Sequence, residues 1–155
     1  MHRARDEKFF LGEKIISVRK CAIPTFSYID FDSYVSATFY MIKTGRINQK
    51  FLICLLNSSL FEFWLRNKGK MQGSNYQIDK EPLVKLPILK PLETDQQPFV
   101  DCVDKILVTT KSVDYLQNLN KQTQVKGYEK QIDQMVYKLY ELTPEEVEII
   151  ENKQP

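Results

Sequence analysis

The spacing of apolar residues along this chain changes character once, near Asn48. Before that point the pattern is that of strands. Lys14-Ile15-Ile16-Ser17-Val18-Arg19 is rich in β-branched residues with partial alternation, and Thr25-Phe26-Ser27-Tyr28-Ile29 alternates cleanly, with Phe26 and Tyr28 on one face. Asp30-Phe31-Asp32-Ser33 predicts a turn, because Asp and Ser side chains bond nearby backbone groups. Tyr34 to Ile42 predicts a longer returning strand, closed by the turn Lys43-Thr44-Gly45-Arg46. Together they predict a small antiparallel sheet.

From Asn48 onward the period is helical. Asn48 is placed to cap a helix in which Phe51, Leu52, Leu55 and Leu56 share one face. Asn57-Ser58-Ser59 interrupts it, and either Asn57 or Ser58 suits the cap of a second piece carrying Leu60, Phe63 and Trp64 and ending at Arg66. A further helix starts near Thr94, with Gln97 completing a capping box and a stripe of Phe99, Val103, Ile106, Leu107, Val113 and Leu116. Lys126-Gly127 breaks the pattern before Ile132, Met135, Val136, Leu139 and Tyr140 resume it. Thr143-Pro144-Glu145-Glu146 opens a last short helix with a cap, a proline at the first position and a box. The fold class read from this order is α+β, a small antiparallel sheet first and a helical, bundle-like part after it.

Between the second helix and Pro82-Leu83-Val84-Lys85-Leu86-Pro87-Ile88, where the chain re-enters the core, lies a polar stretch of different chemistry. It holds Lys68, Gly69, Lys70, Gln72, Gly73, Ser74, Asn75, Tyr76 and Gln77. Cations serve phosphates, amides serve base edges, and an aromatic ring stacks. Lys68 and Lys70 are candidate phosphate anchors, with Gly69 and Gly73 letting the backbone approach closely. Gln72, Asn75 and Gln77 suit adenine edges, with Ser74 and Tyr76 between them, and Arg19 or Arg46 suits guanine. Lys20 joins the two arginines at the strand ends. The same residues taken singly also suit an ordinary solvated loop.

Composition supports the set rather than any one member. The 155 residues are 43% hydrophobic and 27% charged, an ordinary globular balance in which no apolar run is long enough to span a bilayer. The net charge of +2 conceals a division. Residues 1–90 hold 15 Lys and Arg against 8 Asp and Glu, a net +7, and residues 91–155 hold 7 against 12, a net −5. A polyanion-binding face belongs in the first part. Cys21, Cys54 and Cys102 are far apart without metal-ligand spacing, which suits reduced thiols in a cytoplasmic protein.

The catalytic inventory is mostly absences. The one histidine, His2, stands beside the terminus, so Ser-His-Asp and Cys-His sites lack a base. The five glycines form no phosphate-binding loop. Glu145, Glu146, Glu148 and Glu151 read as solvated charge on a short helix, and Phe61, Phe63 and Trp64 as core.

The order LLNSSLFEFWLRNKGK, a polar loop, PLVKLPI, a helix, and YEKQIDQMVYKLYELTPEEVEIIE resembles the TaqI-like C-terminal specificity domain of type II restriction–modification enzymes and adenine-specific DNA methyltransferases. Leu55-Leu56-Asn57-Ser58, Leu86-Pro87-Ile88 and the ending with Ile132-Asp133, Val136-Tyr137, Leu139 to Thr143 and Glu145-Glu146 carry the likeness, which covers most of residues 13–151. The resemblance implies a non-catalytic target-recognition domain over residues 13–151, between a tail at 1–12 and another at 152–155. Its parts are a β portion at 13–47, a helix and DNA-reading loop at 48–90, and a helical portion at 91–151. It also implies double-stranded DNA as partner and an upstream methyltransferase or nuclease part that holds S-adenosylmethionine and, for cleavage, magnesium. This chain carries no Asn-Pro-Pro-Tyr tetrapeptide of its own. The alternative is a subunit-docking domain without DNA contact, in which Tyr115, Tyr137 and Tyr140 on the acidic helices anchor a partner.

Overall fold

The structure, a computed structural model, describes residues 6–72 and 75–152. It is α+β, and its first sheet is built around β1 (Lys14–Val18). A two-residue strand, β2 (Lys20–Cys21), follows at once and leaves for a second sheet. β3 (Phe26–Ile29) and β4 (Phe39–Ile42) both run antiparallel to β1, giving the order β3-β1-β4. The register sets Ile15 opposite Tyr28 on one side and Ile42 on the other.

Because β1 is central, β3 and β4 do not form a hairpin, and the expected strand from Tyr34 shortens to Phe39–Ile42. Residues 30–38 are drawn instead toward the segment before β1. Asp32 Oδ1 accepts from Gly12 N, Ser33 N donates to Phe10 O, and Tyr34 stacks on Phe10 at 4.8 Å between ring centroids. Lys14 locks this crossing. Its side chain is fully buried, and Nζ donates to the carbonyls of Phe10, Gly12 and Phe31 at 2.8, 2.7 and 2.6 Å. A buried ammonium is tolerated only when all its protons are so placed. Residues 6–12, expected as part of a tail, are therefore stitched to the sheet; Lys43 Nζ adds bonds to the Lys8 and Leu11 carbonyls.

Helix α1 (Gln49–Asn57) starts where expected, with Asn48 Oδ1 accepting from the Lys50 and Phe51 amides. It is buried on nearly every side, with Phe51 meeting Phe99 edge-on at 5.0 Å. Helix α2 (Ser59–Lys68) is capped by Ser58. Asn57, not needed as the cap, fastens α1 to β3. Its side chain donates to Phe26 O and accepts from Phe26 N, both at 2.9 Å.

α2 continues two residues past the expected end at Arg66 and stops at Gly69. A Cβ there would lie 2.7 Å from the Leu65 carbonyl oxygen, which already accepts the Gly69 amide, so only glycine fits this approach. The expected loop is then mostly a hairpin, β5 (Lys70–Gln72) and β6 (Asn75–Gln77), which joins β2 in the order β2-β6-β5. A short helix, α3 (Lys80–Val84), follows where a direct return to the core was expected.

The remaining helices are α4 (Glu93–Thr110), α5 (Leu119–Leu139) and α6 (Pro144–Glu151). α4 begins too early for the Thr94–Gln97 box, and Gln97 Nε2 donates to Asp101 Oδ1 instead. It also ends at Thr110, so Val113 and Leu116, expected in its stripe, are exposed at 108% and 84%. Gly127 does not break α5. Buried Val125, Ile132 and Val136 keep helical spacing across it, and burial of three such side chains outweighs the roughly 1 kcal/mol cost of one glycine. The capping box of α6 forms between Thr143 and Glu146. Cys54 and Cys102 are buried and Cys21 half-buried, all three as free thiols, and burial pushes the Cys54 thiol well above its ordinary range.

Candidate nucleic-acid interface

In the second sheet Gln77 sits directly opposite Lys20 on one neighbouring strand and Lys70 on the other. Directly opposed residues share a face, with Cβ atoms about 4.5–5.5 Å apart. The register therefore builds a row Lys20–Gln77–Lys70, two exposed cations flanking an amide. Asn75, two positions before Gln77, falls on the same face and is exposed. Gln72 is paired with Asn75 in register. Ser74, Gly73 and His2 lie outside the described residues.

Tyr76 belongs to the other face. Its hydroxyl donates to Arg66 O at 3.3 Å, and the Arg66 guanidinium lies 5.4 Å from its ring centroid. It holds the hairpin against α2 and is not presented for base stacking. Lys68 stands in the last turn of α2, exposed, with Nζ 5.8 Å from the Trp64 ring centroid. Of the three aromatics in α2, Phe61 is core, Trp64 is half-buried, and Phe63 reaches the surface.

Arg19 joins the two sheets through its backbone, its N–H donating to Thr38 O and its carbonyl accepting from Ile78 N. Its guanidinium lies over Tyr40, 5.1 Å from the ring centroid. Arg46 is not brought to the hairpin; it rims a groove bounded by β4 and α3. Carboxylates also border the row. Gln77 Nε2 donates to Asp79 Oδ1 at 2.8 Å, and the Lys85 ammonium on Glu81, helped by Lys70, holds the Glu81 carboxyl below its ordinary range. Lys80, Lys85 and Lys90, absent from the sequence candidates, are exposed here because α3 turns this stretch outward.

The segments that carry the sequence resemblance meet one another as scaffold. Asp133 of α5 accepts from both the amide and the hydroxyl of Ser59. The Tyr140 hydroxyl donates to Pro87 O at 2.7 Å and accepts from Leu89 N at 3.3 Å. Tyr137 is buried, so neither tyrosine is free to anchor a partner.

The TaqI-like C-terminal specificity domain matches residues 1–88, more than half of the chain. The chain belongs to this family. The match spans both sheets and α1 to α3, including residues 1–12, and leaves α4 to α6 outside it. Among solved structures, the chain is similar in fold to the type IIL restriction–modification enzyme MmeI, described in complex with DNA. The TM-score is 0.68 at 16% identity, over 85% of this chain and 19% of that one. This specificity domain thus spans about a fifth of the length of that enzyme. No curated protein matches the chain. Among the described residues, no group of three or more His, Cys, Asp or Glu is placed to hold a metal ion, and no helix is long and apolar enough to cross a membrane.

Proposed function

We propose that this specificity domain recognises double-stranded DNA for a restriction–modification enzyme, and that the exposed face of β2-β6-β5 meets the duplex. The observation that carries the reading is the Lys20–Gln77–Lys70 row, which puts two phosphate anchors on either side of an amide able to read a base edge. Lys68 extends the cations along the end of α2, and Asn75 extends the amides toward the hairpin tip. In this reading the domain has no chemistry of its own. The methyl donor S-adenosylmethionine, and magnesium if the enzyme cuts, are held by an upstream part that the domain positions on its target.

The test is salt dependence. The isolated domain should bind duplex DNA with Kd on the order of 10⁻⁴–10⁻⁶ M at physiological salt, weakening steeply as salt rises. Lys20→Ala with Lys70→Ala should lower the slope of log affinity against log salt by about 0.9 for each phosphate released, for all sequences alike. An unchanged slope and affinity in that double variant would remove this face from the interface.

A further inference from the structure

A second surface goes beyond DNA recognition and does not rest on it. Between β4, α1, α3 and the segment after α3 runs a groove of about 610 Å³. Met41, Ile42, Leu52, Leu56, Leu83 and Leu86 make it predominantly apolar. Val84, which also lines it, is 67% exposed, and Ile88, Leu89 and Leu92 follow as exposed large apolar side chains. Apolar residues gathered in this way around a concave floor mark a surface that a partner covers. A small ligand on the floor would leave Val84 in water, and a flat bilayer does not fill a groove.

The charged residues lining the groove are Arg46, Lys80 and Lys90, with no carboxylate among them, and none of the three forms an ion pair among the described residues. They stand apart. Arg46 and Lys90 also line the neighbouring hollow beside the start of α4, whereas Lys80 follows Asp79, the acceptor of Gln77 in the second sheet. Charge complementarity therefore asks for an occupant with carboxylates spaced along an apolar stripe. The strand beside the groove offers that occupant's main chain almost nothing. Tyr40 and Ile42 turn their main-chain groups to β1, and the Phe39 amide donates to Ser36 O, which leaves Met41 alone facing outward. An extended segment laid here would hold its own N–H and C=O groups unpaired over an apolar floor, which is costly. A helix satisfies its main chain internally and presents side chains only. We propose that the groove receives an acidic amphipathic helix of a partner protein. Its apolar stripe would cover Met41, Leu83 and Val84, and its flanking carboxylates would meet Arg46, Lys80 and Lys90. A DNA duplex fits this surface poorly, because its phosphates and base edges gain nothing from an apolar floor.

The experiment uses the 155-residue chain labelled with ¹³C at its methyl groups. The probe is a synthetic peptide of about 18 residues, roughly five helical turns, with leucines on one face, glutamates beside them and alanine elsewhere. The same peptide with Lys for Glu, and a shuffled peptide of identical composition whose leucines share no face, are the controls. The acidic peptide should bind by fluorescence anisotropy, raise the helical circular dichroism above the sum of the parts, and shift the methyl signals of Met41, Ile42, Leu83 and Val84. Lys80→Glu with Lys90→Glu, both at exposed positions, should weaken it at least about tenfold. Val84→Glu, also exposed, should weaken it while the urea midpoint of the chain stays near that of the native protein. No binding of the acidic peptide, equal binding of either control, or unchanged affinity in these variants would each overturn the proposal. So would the same methyl shifts produced by a short DNA duplex, by anionic lipid vesicles, or by raising the concentration of the chain alone. The salt dependence of duplex binding is read separately, so the DNA reading can fail while this one stands, and the reverse.

Discussion

Asp133, in the middle of α5, accepts two hydrogen bonds from Ser59, one from the amide and one from the hydroxyl, each at 2.8 Å. Ser59 is the first residue of α2, so its amide is one of the helix N–H groups with no partner inside the helix. A single carboxylate thereby fixes the start of α2 to a helix 74 residues away in sequence. Because α2 ends at Gly69 and delivers the chain into β5, the position of the hairpin depends on this contact. Asp133→Ala should cost about 1–3 kcal/mol in urea unfolding by leaving the Ser59 groups unpaired. Asp133→Asn, which keeps one acceptor, should cost less.

Gly69→Ala tests the other end of α2. With a Cβ forced to within 2.7 Å of the Leu65 carbonyl oxygen, the backbone must shift and the hairpin with it. A loss of about 1–3 kcal/mol is expected in thermal or urea unfolding. DNA affinity should fall below that of the native domain even at temperatures where the variant is folded.

The turn between α4 and α5 is held by Asp114, whose carboxylate gathers the Lys121 ammonium, the Ser112 hydroxyl and the Asn118 amide. These bonds, that of Lys121 first, hold the carboxyl well below its ordinary 3.8. A carboxyl lowered in the folded state contributes stability above the unfolded value, and that contribution is lost as pH falls through the folded one. Asp114→Asn should therefore flatten the decline in stability below about pH 4 while leaving the slope between pH 6 and 8 unchanged. Urea midpoints measured across that range check it.

Helical periodicity treats Phe99, Val113 and Leu116 as one stripe, and the structure separates them. Phe99 is 4% exposed and packs on Phe51, whereas Val113 and Leu116 lie in solvent beyond the end of α4. Phe99→Ala should cost about 3–5 kcal/mol. Val113→Ala and Leu116→Ala should each stay within about 0.5 kcal/mol of the native protein. Comparable losses at all three positions would restore the longer helix.

Gln77→Ala, placed in a full-length enzyme that fixes register on the duplex, should cost about 1–3 kcal/mol at one base position and relax preference there. Lys20→Ala should weaken every sequence equally. Competition binding with single-base variants of the target site separates the two outcomes.

Much of this protein was decided within short spans of sequence. The caps at Asn48, Ser58 and Thr143, the change of apolar period near Asn48, the strands at Lys14–Val18 and Phe26–Ile29, and the charge division between the two parts of the chain all rest on interactions reaching only a few residues. Such interactions are legible in a linear pattern. What tertiary structure decided is long-range pairing. Periodicity does not record that β1 lies between β3 and β4, because the order of strands depends on which pairings bury the common face best. Nor does it record that Lys14 is buried, since the three carbonyls that solvate it come from residues 10, 12 and 31. The stretch from Lys70 to Gln77 reads as a polar loop because it is polar. It becomes a sheet because β2, about 50 residues earlier, gives β6 a second partner. The same pairing sets Lys20 beside Gln77 and Lys70, so the candidate DNA-reading row exists only in the folded chain.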